Sequence, residues 1–577
     1  MPGPAGPEPA SPRPPATWWP SCPTPRRRAW KPPPRGKQAI AGTAAKARCA
    51  RGLPAREHGS EARLGRGQPF NTVAGHRSAI RPKWCSLHVV FAGRGRQGTL
   101  GVRPHGRSLH AGLQITSRRG EASLPPLEVC RTCPMHQSKP FRSTMVTDTR
   151  LTRRGLLRTA AAAAAPLVVP RAVLGGPRHV APADRITIGI IGCGKMAFDY
   201  HIPTLLGFPD VQIVAVCEVD MNRRARARQI IEQAYSQAPR EYQGCGEYVD
   251  FREMLGRHEM DAVVIVTPEN WHCLQIVEAC RAGMDVYCEK PLTLTLAEGR
   301  ICMEAVRRHK RVLQTGSQQR SNVFGQFREA VEIIRSGRLG TVKTVHVGVG
   351  GPPVPCDLPG EEMEPGLDWD LWLGPAPLRP YSSVLSPRGV HRHFPAWRNY
   401  REYAGGGHAD MGAHHYDIAH WALDLDRSGP VEVIPPEDPA AVTGVRFRYA
   451  GGLEIVHGGP GGCLFTGTRG TLRIDRGVLQ SDPPDLALEP LGESEVRLPR
   501  SPGHHRNWID CIRSRERPVA DVEAGARTIA VVQLGNLAYQ HRRTIRWDPR
   551  AWTFADRSAP ESWLDRERRD PWRLPSL

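Results

Sequence analysis

Gly192-Cys-Gly194-Lys195-Met196-Ala197 follows directly on the β-branched run Ile186 to Ile191. That order of residues reads as a strand, a tight turn and the first turn of a helix. Gly192 permits the turn. Gly194 removes a side chain where backbone would approach a pyrophosphate, and Ala197 lets the helix pack close to the strand. The free N–H groups and positive end of such a helix, with Lys195 and Met196 in its first turn, attract phosphate oxygens. The chemistry implied is dinucleotide binding. A second apolar strand, Val211 to Val216, ends at Cys217-Glu218-Val219-Asp220. An acidic residue there is the expected partner of an adenosine ribose hydroxyl, with Glu218 the first choice and Asp220 the second; a solvated strand end is the rival reading. A carboxylate repels a 2′-phosphate, which favours NAD, while Arg223 and Arg224 just downstream leave NADP open.

The elements that position these residues alternate. Arg223 to Ala234 reads as a helix, and Met260 to Thr267 is a continuous apolar run typical of a strand covered on both faces. It stops at Pro268. A helix from Cys273 to Ala282 is closed by Gly283. The strand Asp285 to Cys288 ends at Glu289-Lys290-Pro291, and a helix from Leu296 to His309 leads to the strand Val312 to Thr315. Strands alternating with helices predict right-handed crossovers and a parallel sheet over residues 184–316. Beyond Gly316 a helix from Phe327 to Ser336 precedes alternating segments at Thr341 to Gly348, Val442 to Tyr449, Leu453 to His457 and Gly470 to Ile474. Helices are expected at Asp410 to Leu423, Arg506 to Arg513 and Glu523 to Arg542. The fold class predicted is α/β: an N-terminal Rossmann NAD(P)-binding domain, then a C-terminal α/β domain over 317–577 with a large, mostly antiparallel open sheet.

The chain has 577 residues and a formal charge of +22, which by itself would suggest a nucleic-acid partner. Residues 1–144 hold 25 basic against 5 acidic residues, and the remainder 54 against 52, so the charge belongs to the leader. No nucleic-acid partner is expected for the folded part. Rich in Pro, Arg, Gly and Ala, residues 1–144 read as a disordered basic leader or as sequence upstream of a start at Met145. Residues 145–183 read as a twin-arginine export signal and linker. Arg153-Arg154 precedes the alanine-rich run Thr159 to Val169, and the expectation is export to the periplasm by that route. Pro166 and Pro170 interrupt the run, so no stable membrane span is expected. The 15 cysteines show no metal-binding repeat, and Cys193 and Cys217 are expected as buried thiols. His408, His414, His415 and His420 invite a metal, but their spacing to acids is not that of a zincin, so none is expected.

From about residue 184 to 577 the sequence resembles the Gfo/Idh/MocA family of nicotinamide-dependent oxidoreductases. The matching motifs, in order, are the glycine turn, Thr267-Pro268-x-x-x-His272, Glu289-Lys290-Pro291, Gln314 to Arg320, Trp369-Asp-x-Trp372-Leu-Gly374-Pro375, Gly405-Gly-Gly-x-x-Asp410-Met-Gly-x-His414 and Trp547-Asp548-Pro549. The resemblance implies hydride transfer between nicotinamide and a sugar or polyol carbon. It places Lys290, Asp410 and His414 at the catalytic site, and Thr267, Pro268, His272, Glu289 and Lys290 beside the glycine turn and Glu218 at the cofactor. The residue types suit that chemistry. Imidazole can take an alcohol proton near neutrality, and an ammonium can stabilise an alkoxide. The bland readings are a solvated loop lysine at Lys290, a core histidine at His414 with His415 as its rival, and a structural helix-start residue at His272. Trp369, Trp372 and Trp397 would stack on sugar rings or pack a core. The partners expected are a small carbohydrate and a second copy of the chain. An exported enzyme has little free nicotinamide to exchange, so a redox-neutral glycosidase, lyase or epimerase with tightly held NAD is the alternative. A non-catalytic carbohydrate-binding relative is a third reading.

Overall fold

Strand β1 (Ile186–Ile191) is buried along nearly its whole length, as a strand covered on both faces must be. The computed structural model describes residues 181, 184–237, 242–257 and 259–576; the leader and nearly all of the twin-arginine segment lie outside them. After the glycine turn the helix opens with a widened π turn at Ala197–His201 and continues as α1 (Ile202–Leu206). Then come β2 (Val211–Cys217), α2 (Met221–Ser236), β3 (Gly246–Tyr248), α3 (Phe251–Arg257), β4 (Ala262–Ile265), α4 (Glu269–Arg281), β5 (Asp285–Cys288), α5 (Leu296–Arg308) and β6 (Leu313–Thr315). These strands form a parallel sheet in the order β3-β2-β1-β4-β5-β6. Helix starts are built locally: Asp220 caps α2, and Thr295 with Glu298 forms a capping box on α5, a contribution of about 1 kcal/mol.

The second layer holds α6 (Phe327–Arg335), β7 (Val342–Gly348), α7 (Trp369–Leu373), α8 (Gly406–Asp410), α9 (Gly412–Ala422), β8 (Glu432–Ile434), β9 (Arg446–Arg448), β10 (Glu454–Gly467), β11 (Gly470–Asp475) and β12 (Val478–Asp482). The chain closes with α10 (Asp485–Leu488), α11 (His504–Ser514), α12 (Val522–His541), β13 (Ile545–Asp548) and β14 (Thr553–Phe554). Its largely antiparallel sheet runs β12-β11-β10-β9-β8-β13-β14, with β7 paired to β10. Thr344 of β7 lies opposite Glu454 and again opposite Thr466, because β10 bends at its glycines between His457 and Gly461.

Four expectations change. The helix expected from Cys273 starts at Glu269, capped by Pro268, so His272 lies within its first turn and not ahead of it. The strand expected at Leu453 to His457 does not stop at Gly458; the glycines bend the strand round the end of β7 instead of ending it. The strand expected at Val442 to Tyr449 pairs only over Arg446–Arg448, since Gly444 takes a φ of +98° that breaks the extended run. The helix expected at Asp410 to Leu423 is two helices with a join at Met411, whose φ of −92° and ψ of −26° keep the two nearly in phase. Helix α11 returns to the first layer: Trp508, Ile509 and Cys511 pack with Ile188, Ile190 and Tyr287. Among the described residues no helix is long and apolar enough to cross a membrane.

Candidate active site

Parallel sheets bind ligands at the carboxyl ends of their strands, and four site segments collect there. At the end of β1, Gly192 adopts a φ of +91°, and a Cβ on it would lie 2.9 Å from the Val266 backbone after β4. Only glycine fits that turn. A Cβ on Gly194 would meet nothing within 4 Å, which leaves the backbone open to an approaching phosphate. Ala197 is fully buried against the first layer. Lys195 pairs with Asp199 and lies 5.1 Å from the Phe394 ring, while Met196 is partly exposed beside it.

Glu218 ends β2 and bridges the turn. Its carboxylate accepts from the Cys193 N–H at 2.7 Å and the Asp220 N–H at 3.0 Å. Asp220 itself caps α2 through the Arg223 N–H, so it is the helix cap and Glu218 is the group at the turn. Arg223, which sequence alone left free for a 2′-phosphate, is buried and donates to the Gly389 carbonyl at 3.1 Å and the Ser386 hydroxyl at 3.3 Å. Arg224 donates to the Glu218 backbone carbonyl at 2.6 Å. The residues present therefore fit a dinucleotide: a glycine cradle, a phosphate-facing backbone and a strand-end carboxylate.

At the end of β4, Thr267 donates to Gln275 at 2.7 Å and Pro268 starts α4. His272, expected at the cofactor, is buried instead beneath the loops. Its ring nitrogens lie 2.9 Å from the Pro291 and Thr267 carbonyls, so it ties the ends of β4 and β5 together. Glu289 is likewise a buried anchor. His201 lies 3.1 Å and Gln318 2.7 Å from Oε1, and the Lys290 N–H donates to Oε2. Burial opposes its charge, but His201 and Lys290 outweigh burial and hold its pKa below the ordinary carboxylate value. Gly316 is required beside it, since a Cβ there would lie 2.8 Å from the Glu289 carboxyl. A second histidine extends the chain: His505 sits 2.9 Å from His201 Nδ1 and stacks on Tyr287 at 4.9 Å.

The catalytic candidates meet above this base. Lys290 Nζ donates to Asp410 Oδ1 at 2.7 Å and to the Asp410 carbonyl at 2.8 Å, across 120 residues of chain. Burial resists the Asp410 charge, but the Lys290 ammonium and the Arg398 guanidinium, 3.7 Å away, hold its carboxyl below the usual range. His414 is buried with Nδ1 unpartnered. Burial, then the charges of Lys290 and Arg476, push its imidazole well below its ordinary value, so it is neutral near pH 7. His415 faces Asp475 at 3.6 Å, which separates it from His414. Asp417, one turn further along α9, joins Arg320 and Asp426 in a buried ion cluster.

Sequence reasoning missed Arg398, Arg476, Glu269 and His201. Arg398 sits in a short 3-10 turn and Arg476 in the two-residue hairpin turn between β11 and β12, neither of them in a motif that had been read, whereas Glu269 lay inside the Thr267-Pro268-x-x-x-His272 motif as an unread position. Trp369 and Trp372 stack on each other at 4.6 Å within a core containing Tyr381 and Tyr403, so they pack; Trp397 instead carries the Arg398 guanidinium at 4.2 Å. His408 bonds Asn536 and Tyr416, and His420 bonds Tyr449. Among the described residues no group of three or more His, Cys, Asp or Glu is arranged to hold a metal ion.

Residues 186–317 match the family described as oxidoreductase family, NAD-binding Rossmann fold, and residues 355–574 match its C-terminal alpha/beta domain. The chain is 28% identical over 176 residues to an uncharacterized oxidoreductase, YrbE, of Bacillus subtilis (strain 168), covering 30% of this chain and 46% of that protein. It is 26% identical over 206 residues to dTDP-3,4-didehydro-2,6-dideoxy-alpha-D-glucose 3-reductase of Streptomyces antibioticus, covering 36% and 58%. It is 34% identical over 161 residues to a glycosyl hydrolase family 109 protein of Saccharopolyspora erythraea, covering 25% and 34%. The matched segments span less than two thirds of each of these relatives. With both domain matches in chain order and the glycine turn built as the first of them requires, the chain belongs to the Gfo/Idh/MocA family, with an NAD-binding Rossmann domain.

Proposed function

We propose that the protein is an NAD-dependent oxidoreductase acting on a CH–OH carbon of a sugar, polyol or related carbohydrate. The observation that carries this is the Lys290–Asp410 pair at the carboxyl edge of β5. Bound NAD would supply the hydride acceptor or donor. It would be held by the backbone at Gly192 to Ala197, with Glu218 at its ribose and Thr267 and Pro268 beside the strand edge. Lys290 donates hydrogen bonds to the substrate oxygen and steadies the charge that develops there as the O–H bond breaks. Asp410 fixes the Lys290 ammonium and accepts from a neighbouring substrate hydroxyl. His414, neutral and with a free ring nitrogen, exchanges the hydroxyl proton.

The test is a carbohydrate-library screen on NAD-loaded protein, following absorbance of the reduced nicotinamide. Net reduction of NAD by one sugar class is the expected result, and no turnover of any sugar in either direction would sink the assignment. A second reading is a redox-neutral cycle with resident NAD, supported by the likeness to the glycosyl hydrolase family 109 protein. Sugar consumed without net nicotinamide change would favour it. We further propose export of the folded, cofactor-loaded enzyme by the twin-arginine segment at residues 145–183. N-terminal peptide mapping after secretion tests this, and a chain recovered with that segment intact in the cytoplasm would contradict it.

A further inference from the structure

Glu269 begins α4 and is buried to within 1% of its surface, yet it is neither a helix cap nor part of an ion pair at bonding distance. Its carboxyl accepts the Gly405 N–H at 3.1 Å, at the residue from which α8 starts. Glu269, Gly405 and Ala409 are among the residues lining a cavity of about 400 Å³, and Asp410 follows Ala409 in the chain. The same lining includes Gln533 and Arg566, each with buried polar atoms lacking a protein partner, and the exposed Gln540, Ser562 and Glu567. Unpaired polar atoms in a cavity of this size that reaches exposed residues give water its hydrogen-bond partners.

We propose that Glu269 is the proton exit of the catalytic pocket, carrying the substrate hydroxyl proton between the Lys290–Asp410 centre and water in this cavity. The inference rests on the oxidoreductase assignment. In alcohol oxidation the O–H bond breaks, the protonated Glu269 carboxyl releases its proton to cavity water, and the substrate proton, passed through the catalytic centre, takes its place on the carboxylate so formed. The C–H electron pair and its hydrogen leave to the NAD that the proposed activity uses. Reduction runs the same path backwards. The groups acting on Glu269 are Asp410 on α8, Lys290 after β5, Arg398 in the turn at Ala396–Asn399, and its own backbone donor Gly405. Burial, then the Asp410 charge, pushes its carboxyl up to about 8. Within this cluster it therefore holds a proton more readily than Asp410 or His414, both of which are shifted down. Glu269 is a positioning and relay group, acting through Asp410 and Lys290.

Infrared titration of the full, NAD-loaded chain in H₂O and D₂O tests this without any substrate. A protonated-carboxyl band that vanishes with a midpoint near pH 8, exchanges within mixing time and is absent from Glu269→Gln is the expected result. Glutamine keeps an acceptor for the Gly405 N–H, so the loop is preserved. With a sugar from the screen, Glu269→Gln should lower kcat roughly 10- to 100-fold with KM unchanged and remove the pH-rate limb near 8, and Glu269→Asp should restore that limb. A band that persists in Glu269→Gln, a band that does not exchange, or superimposable pH profiles would overturn the proton route. A wild type inactive on every sugar counts against the oxidoreductase assignment alone, since the infrared result decides the route separately.

Discussion

Lys290 and Asp410 form a pair in which each charge depends on the other, and truncating one leaves the second stranded. Lys290→Ala leaves the largely enclosed Asp410 with Arg398 at 3.7 Å and the weaker influence of Arg476, so the Asp410 carboxyl should shift upward and kcat should fall about 100- to 1,000-fold. Steady-state kinetics on a sugar from the screen measure this, and unchanged turnover would remove Lys290 from the chemistry. Glu218 makes a different claim at the same scale. Glu218→Ala deletes the acceptor of the Cys193 and Asp220 N–H groups and the proposed ribose partner, so NAD should bind at least roughly 10-fold more weakly, about 1.4 kcal/mol. NADP binding should not rise in exchange, because Arg223 is committed to Gly389 and Ser386. Calorimetry with both nucleotides reads this directly; a variant that gains NADP would show that those arginine contacts yield.

At the scale of elements, Arg320 is the join that holds the turn after β6 to α9. Its guanidinium takes both carboxylate oxygens of Asp417 at 2.8 to 3.0 Å and reaches Asp426 at 2.7 Å, all beneath the Trp421 ring. Removing one partner of a buried ion cluster strands the others, so Arg320→Met should cost about 3–5 kcal/mol in urea unfolding. The double variant Arg320→Met with Asp417→Leu should recover part of that loss, because the fully buried charge is then gone and the remaining Asp426 carboxylate is partly exposed to water. Equal losses in the single and double variants would mean that the cluster contributes by shape and not by charge. The same join keeps α9, and with it His414, in register with the edge of the parallel sheet.

Across the whole molecule, histidine burial sets the acid limit. His415, His420, His457 and His504 are pushed down to about 4 chiefly by burial, from an ordinary value of about 6.5. The unfolded chain therefore binds protons that the folded chain refuses. Their stabilising contribution is complete above about pH 6.5 and is lost as pH falls toward 4, at up to about 1.4 kcal/mol per pH unit for each group. Glu269, raised to about 8, acts in the opposite sense and weakens the fold as pH rises from about 4.5 toward 8. Asp285 and Asp417, raised chiefly by burial, act with Glu269, but His391, His408, His414 and His505 are lowered as well, so the histidines outweigh the acids and the melting temperature should fall steeply as pH drops from 6.5 to 4.5. Differential scanning calorimetry over that range checks it; a flat profile would mean that these rings find water or partners when charged.

The sequence by itself determined the first layer and the cofactor cradle. Strands β1, β2, β4, β5 and β6 are apolar runs or strand ends closed by local signals, and the turn at Gly192 depends on residues adjacent in the chain. Lys290, Asp410 and His414 stood out because family motifs mark them, and the fold brings Lys290 and Asp410 into contact. What only the tertiary structure decided was which polar groups share a space. His272 and Glu289 became buried ties, Arg223 was committed to the Gly389 carbonyl and the Ser386 hydroxyl, and Arg398, from an unmarked turn, and Glu269, from an unread motif position, came to act on Asp410. The strand continuing through Gly458 to Gly462 was also settled by its partner β7. The physical reason is common to all of these: strand periodicity and turn chemistry are local, whereas the cost of burying a charge or an N–H depends on neighbours more than a hundred residues away, as between Lys290 and Asp410.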